Sequence, residues 1–233
     1  DFLYVRFLRM FEAEVVESEK LVKKHIYPIL DLLVVKLDAD KSVLDLFKER
    51  FEVLNIERFG SLTPGGQPDL SRNLKNNVSK INSSLNLFNK EHQSSFEEDY
   101  SNKTGILPVT VGKDIEDILK VSVQENTQKL SYLPADYLRK VESIVLEGML
   151  EGRANRTIVQ EIKDKIEGEG NKFKSNAKLV VADQLQKLNG SLDRARHIKN
   201  GSTRYIWRTR KNAAVRDDHE DLDGAIFEWG RPP

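Results

Sequence analysis

From Phe11 to about Leu37, acidic and basic residues surround Val15, Val16, Leu21, Val22, Ile26, Ile29, Leu30 and Leu33. Steps of three and four predict a helix with one apolar stripe, bent at Pro28, whose ring removes a backbone donor. A second helix is expected from Lys41 to Phe59 through Val43, Leu44, Phe47, Phe51 and Leu54. Gly60-Ser-Leu-Thr-Pro-Gly-Gly-Gln-Pro68 stops it, because two Pro and three Gly in so short a run favour turns. Leu70, Leu74, Val78, Ile81, Leu85, Phe88, His92 and Phe96 then hold the helical period over a long, otherwise polar stretch. That narrow stripe fits an edge helix of the same chain or a coiled-coil seam against another subunit.

Ser101 to Lys113, with Gly105, Pro108 and Gly112, reads as a loop or short strand. Asp114 is an expected N-cap for a helix from Ile115 to Leu130, and Pro134 is expected to open the next, with Val141, Ile144, Val145, Gly148 and Met149 on one face and Gly152 as its cap. Thr157, Ile158, Ile162 and Ile166 predict a short helix ending at Gly168-Glu-Gly170. Another is expected from Ala177 to Leu188, stopped by Asn189-Gly190, with a short piece on to Asn200-Gly201. In Thr203 to Thr209 the period changes to two, with Tyr205 and Trp207 alternating with Arg204, Ile206 and Arg208, which favours a strand. Asp223-Gly224 reads as a turn into a second strand over Ala225 to Trp229. The expected fold is mainly α: a helical body with a small C-terminal α+β module containing a short β-hairpin. Its expected regions are an N-terminal helical region at 1–60, a long-helix region at 69–130 and the C-terminal module at 131–233.

Composition narrows the chemistry. The 233 residues carry 37 Lys+Arg against 37 Asp+Glu and no cysteine. A disulfide framework, a thiol nucleophile and a thiolate metal site are therefore absent from this chain. The longest apolar stretch, Leu30 to Leu37, is broken by Asp31 and Lys36 and is far short of the ~20 residues that cross a bilayer. No membrane span is expected. The first residue is Asp1, without a signal-like leader, and the expectation is a fragment or a trimmed product.

Charge is least average in the tail. Arg194 to Arg216 holds eight Lys or Arg and no acid, and Asp217 to Glu228 holds six acids and no Lys or Arg. One reading is a basic surface for phosphates with Tyr205 and Trp207 as stacking platforms; the other is mutual pairing across the hairpin. His219 is crowded by carboxylates, and with Asp217, Glu220 or Asp223 it could ligate a metal in a nuclease or hydrolase. A second ligating histidine is missing, since His25, His92 and His197 stand in unrelated contexts. No Gly-x-Ser-x-Gly elbow, Walker loop or Gly-x-Gly-x-x-Gly occurs, so no complete catalytic motif is present and no cofactor is expected.

One further pattern spans the C-terminal part. Ala177-Lys-Leu-Val-Val-Ala-Asp-Gln184, Lys187-Leu-Asn-Gly190, Gly201-Ser-Thr-Arg-Tyr-Ile-Trp-Arg-Thr209, Val215-Arg-Asp-Asp-His219, Leu222-Asp-Gly224, Phe227-Glu-Trp229 and Pro232-Pro233 follow one another in a characteristic order. The run resembles the signature of the phage Mu F-like minor head proteins, a phage head morphogenesis family, and Ile144 to Ile166 resembles the helix, glycine, helix passage before it. The resemblance covers roughly residues 130 to 233. It departs at Val181-Ala182, where the family commonly has Ala-Arg, and at Asn212, near which the family has Asp. The family's text usually continues past Pro-Pro to a Cys-containing segment, whereas this sequence stops at Pro233.

The resemblance implies a minor structural protein of a tailed-phage head, docked at the portal vertex and acting in head morphogenesis and in DNA packaging or ejection. It implies no enzymatic activity. The implied partners are the portal protein, a capsid or scaffolding protein and double-stranded DNA; the implied location is the virion, with host cytoplasm during assembly. Asp183, Gln184, Tyr205, Trp207, Arg216, His219, Asp223 and Gly224 would hold the module's shape, and Arg204, Arg208, Arg210 and Lys211 would face portal or DNA. Two rivals remain on the residues alone: a metal-dependent nuclease or hydrolase using His219, Asp217 and Asp223, and a nonspecific DNA-binding protein.

Overall fold

A computed structural model describes residues 2–35, 41–64, 66–110, 112–150, 156–209 and 220–231. Among these described residues six helices and one hairpin follow in order: α1 (Phe2–His25), α2 (Tyr27–Val35), α3 (Lys41–Phe59), α4 (Ser71–Thr104), α5 (Lys113–Leu150), α6 (Arg156–Lys199), β1 (Arg204–Ile206) and β2 (Ile226–Glu228). The mainly α fold with a small C-terminal hairpin agrees with the sequence reading.

The chain divides into two compact units, one of Asp1–Leu85 with Ser122–Leu185, the other of Asn86–Val121 with Gln186–Pro233. The first unit holds the larger core. There Leu21 and Val22 of α1, Ile26 between the helices and Leu30 of α2 pack with Phe47, Phe51 and Leu54 of α3, Tyr137, Val141 and Val145 of α5, and Ile162 and Ile166 of α6. Tyr137 is fully buried, and burial raises its hydroxyl's pKa well above the ordinary phenol value. Glu14 of α1 pairs with Arg58 of α3 beside this core, both mostly shielded from solvent.

Helix starts and stops differ from the sequence reading at several points, the smallest being α5, which starts at Lys113 with Asp114 inside its first turn and not as its N-cap. α1 begins at Phe2, not Phe11, because Leu3, Phe7, Phe11 and Val15 already form a buried row of four-residue steps. α1 and α2 part at Ile26, two residues before Pro28, whose missing N–H interrupts the ladder; the chain resumes with Leu30 N–H donating to the Ile26 carbonyl at 3.1 Å. The expected loop or strand at 101–113 is instead helical to Thr104 and looped beyond, with no strand among its described residues.

The last difference is the largest: the breaks expected at Pro134, at Gly168-Gly170 and at Asn189-Gly190 are all absent. Pro134 costs α5 one backbone bond, but Leu130, Ala135, Leu138 and Val141 bury a continuous stripe across it. A Cβ on Gly170 would stand 2.1 Å from the Glu19 carboxylate, which accepts from Lys174 Nζ at 2.7 Å; the glycine makes room for α1 and does not end a helix. Asn189 donates to Asp193 Oδ2 at 3.0 Å one turn on, and Leu188 and Leu192 carry the buried stripe past Gly190.

α3 ends as read. Gly60 sits at φ 92°, and its N–H donates to the Ile56 carbonyl at 2.7 Å. The Pro/Gly segment folds back on itself through a bridge between Leu62 and Pro68, and Asp69 Oδ1 accepts from the backbone N–H of Ser71 at 3.0 Å where α4 starts.

Candidate functional site

The second unit presents the C-terminal half of α4, the end of α6 and the hairpin. α6 is closed by Gly201 at φ 84°, with Ser202 N–H donating to the His197 carbonyl at 2.9 Å, a glycine cap that turns the chain into β1. β1 and β2 pair antiparallel with Arg204 opposite Glu228, Tyr205 opposite Phe227 and Ile206 opposite Ile226. Alternation does the rest: Tyr205 and Phe227 turn inward, while Ile206 and Ile226 stand outward and exposed.

Aromatic rings fasten the hairpin to the helices. Tyr205 stacks on Trp229 at 4.5 Å, Trp229 lies parallel to His197 of α6 at 6.0 Å, and His197 meets Phe96 of α4 edge-on at 5.1 Å. Trp207 contacts Phe227 at 6.3 Å. Asn200 ties down the 105–110 loop, accepting from Val109 N–H at 2.6 Å and receiving the Tyr100 hydroxyl on its carbonyl at 3.2 Å. With these rings packed on one another, Tyr205 is a brace for the hairpin before it is a platform for a base.

The basic candidates divide by position. Arg204 reaches Glu228 at 3.8 Å across the strands, both side chains more than half exposed, so this cross-strand pair partly covers the basic block. Arg208 is exposed, has no carboxylate partner among the described residues, and lies over the turn, its Nη1 3.8 Å from where a Cβ on Gly224 would stand. Gly224 has φ 86°, and Asp223 accepts the Thr209 N–H at 2.9 Å. Asp183 and Gln184 lie on α6 in the first unit, Gln184 buried. Arg210, Lys211, Arg216, Asp217 and His219 lie outside the described residues.

A polar cluster on α4 and α6 escaped the sequence reading. Arg196, on the last turn of α6, is 1% exposed. Its guanidinium donates from Nε to Gln93 Oε1 at 2.7 Å, from Nη2 to Asn89 Oδ1 at 2.6 Å, and from Nη1 to His92 Nδ1. Asn89, His92 and Gln93 occupy i, i+3 and i+4 of α4, one face of that helix. Burial lowers the Arg196 pKa from the ordinary guanidinium value, while Asp193 and Glu97 oppose that shift. His92 Nε2 reaches Asp193 Oδ1 at 3.0 Å.

His92 and His197, unrelated in sequence, line one open cleft of about 780 Å³ with Phe88, Tyr100, Asn189 and Asp193. Both nitrogens of His92 are engaged, so the ring offers no free lone pair to a metal or a substrate proton. Among the described residues no three His, Asp or Glu side chains are placed to hold a metal ion, and no helix is long and apolar enough to cross a membrane. What this unit offers is a braced hairpin that displays a guanidinium and two outward isoleucines.

Comparison with known proteins points to the same part of the chain. Residues 139–233, from the second half of α5 through the hairpin, match the family described as Phage Mu protein F like protein, which bears out the resemblance read from the sequence. An uncharacterized protein of Haemophilus influenzae is 34% identical over 108 residues, 46% of this chain and 23% of that relative. The chain thus spans less than a quarter of the relative's length. No solved structure matches.

Proposed function

We propose that this chain, Mu F-like over residues 139–233, is a minor structural protein of a tailed-phage head that docks at the portal vertex and acts in head morphogenesis and in DNA packaging or ejection. The observation that carries the reading is the family match itself, which takes in α6 and the whole hairpin. The form of the matched part supports it: side chains there are used to brace a protruding hairpin, and Arg208 at its turn is exposed and without a carboxylate partner among the described residues. The portal protein is the main partner in this reading; capsid or scaffolding protein and double-stranded DNA are further ones, and the virion is the location. The chain acts without a cofactor and is not an enzyme.

Co-sedimentation of the chain with the portal ring of its own phage, beside a salt-titrated DNA shift, tests the proposal. Portal binding that survives ~0.2 M salt is the expected result, since exposed charges alone are strongly screened there. Binding to DNA alone, lost as salt rises, would replace portal docking with genome contact.

A further inference from the structure

The first unit carries an uncovered groove at the other end of the sequence, and its chemistry specifies an occupant. Besides its buried apolar face, α1 has an outer face on which Phe2, Val5 and Met10 stand among Arg6 and Arg9. Leu3, Phe7, Phe11 and Val15 are buried in the unit, but Phe2 and Val5, 60% and 43% exposed, line with Met10 an open groove of about 860 Å³ floored by Asn77 of α4 and Leu130 of α5. A surface helix ordinarily needs one apolar stripe, so these outward apolar side chains are surplus to the fold of this unit. From Phe2 to Ala13 the groove follows α1 for twelve residues, about 16 Å or three turns, the footprint of a helix.

The lining is also positive. Arg6 and Arg9 stand among the apolar side chains of α1 with Lys80 of α4 beside them, and none has a carboxylate partner among the described residues. The one acid in the lining, Glu14, is already paired with Arg58. A mainly apolar lining with cations set among its side chains fits an amphipathic helix that carries acids beside its apolar positions.

α3 is such a helix. Its inner face packs in the core, while Asp45, Glu49, Glu52, Val53 and Ile56 are exposed, with Val53 and Ile56 at 37% and 47%. At 3.6 residues per turn these five fall within an arc of about 100°, and exposed Lys48 and Arg50 fall outside it. The stripe also spans twelve residues, so three acids and two apolar side chains match three cations and a mainly apolar lining over equal length. No described residue pairs with Asp45, Glu49 or Glu52. Because this face of α3 is turned to solvent in its own chain, it is free for another molecule.

We propose that the groove on α1 receives the outer face of α3 from a second copy of this chain, a heterologous contact in which two different patches meet. The test is sedimentation equilibrium of the full chain over a concentration series, with two charge-reversed variants. The wild type is expected to rise above its monomer mass of 26.7 kDa with concentration. The groove variant Arg6→Glu/Arg9→Glu and the helix variant Glu49→Arg/Glu52→Arg should each self-associate at least about tenfold more weakly, since each sets like charges against each other. Mixed one to one, the variants restore opposite signs at every contact, and association should return. A wild type monomeric at every concentration, variants that associate as the wild type does, or a mixture that stays apart would each overturn the proposal. Circular dichroism melts of both variants establish that only surface charge has changed.

Discussion

The guanidinium of Arg196 donates to Nδ1 of His92, and this one bond settles the state of the ring: Nδ1 must hold a lone pair, so the proton sits on Nε2 and points at Asp193 Oδ1, 3.0 Å away. The buried cation thus reaches Asp193 through the His92 ring and Glu97 through Gln93, whose amide donates to that carboxylate at 2.5 Å, while Asn89 takes a further donor. Removing one partner of such a network strands the rest in the protein interior. Arg196→Met is expected to lower stability by about 3 kcal/mol, the range found when a buried charge network loses a member. Arg196→Lys should recover only part of this, because an ammonium cannot span three acceptors in the guanidinium's plane. Urea unfolding of both variants measures it, and equal stability for Met and wild type would show that the network adds nothing net.

Gly148 and Ile162 set the distance between α5 and α6. A Cβ on Gly148 would stand 2.4 Å from Ile162 Cδ1 and 2.7 Å from Cγ1, and Ile162 is 3% exposed, with no room to swing away. Gly148→Ala gains helix propensity yet overpacks the contact, for a net loss of about 1–3 kcal/mol. Ile162→Val removes the nearest methyl, so the double variant should be more stable than the two single losses added together. Thermal melts of the four proteins close that cycle.

These two sites show what the sequence carried and what it did not. The α3 and α4 helices, the Pro/Gly turn and the hairpin were legible because periodicity and turn chemistry act over a few residues, but Val78 of the expected α4 stripe is exposed while Asn73, Asn77 and Ser84 are buried in its place. Gly168, Gly170, Gly190 and Pro134 read as breaks because their intrinsic helix cost is about 1 kcal/mol for Gly and 3 for Pro, amounts that a buried stripe on either side outweighs. A close approach such as Glu19 to Gly170 is invisible until α1 and α6 are placed together. The Arg196 cluster was hidden for the same reason. Its partners stand on α4 more than a hundred positions earlier, and Arg196 reads in sequence as one more member of a basic block. The only local hint was Asn89, His92 and Gln93 at i, i+3 and i+4 in a stretch otherwise read for its apolar residues.

Acid should loosen the turn before α4. The Asp69 carboxyl is held below its ordinary value, first by the Ser71 hydroxyl, then by the Ser71 N–H and by Ser61. A depressed carboxyl contributes stability that is fully present above its unfolded pKa and is lost as pH falls through the folded one. Asp69→Ala should therefore be less stable than wild type at pH 7, and the gap should close as both are titrated below the ordinary carboxylate range. A gap that stays constant down to pH 2 would assign the effect to packing and not to the charge.

The hairpin separates scaffold from surface. Trp229 contributes its ring to both Tyr205 and His197, so Trp229→Ala should release the strands from α6 at a cost of about 2 kcal/mol, less than for a fully buried tryptophan because the residue is half-exposed. Arg208 is exposed and makes no such ring contact among the described residues. Arg208→Glu, alone or with Arg210→Glu, should leave the melting temperature within a degree or two of wild type, as surface changes of under about 0.5 kcal/mol do. In the proposed docking reading the same variant should bind the portal ring more weakly in co-sedimentation, with the deficit shrinking as salt rises because the lost term is screened. Unchanged affinity for portal and for DNA alike would remove the arginines from the interface and leave the outward Ile206 and Ile226 as the surface to test next.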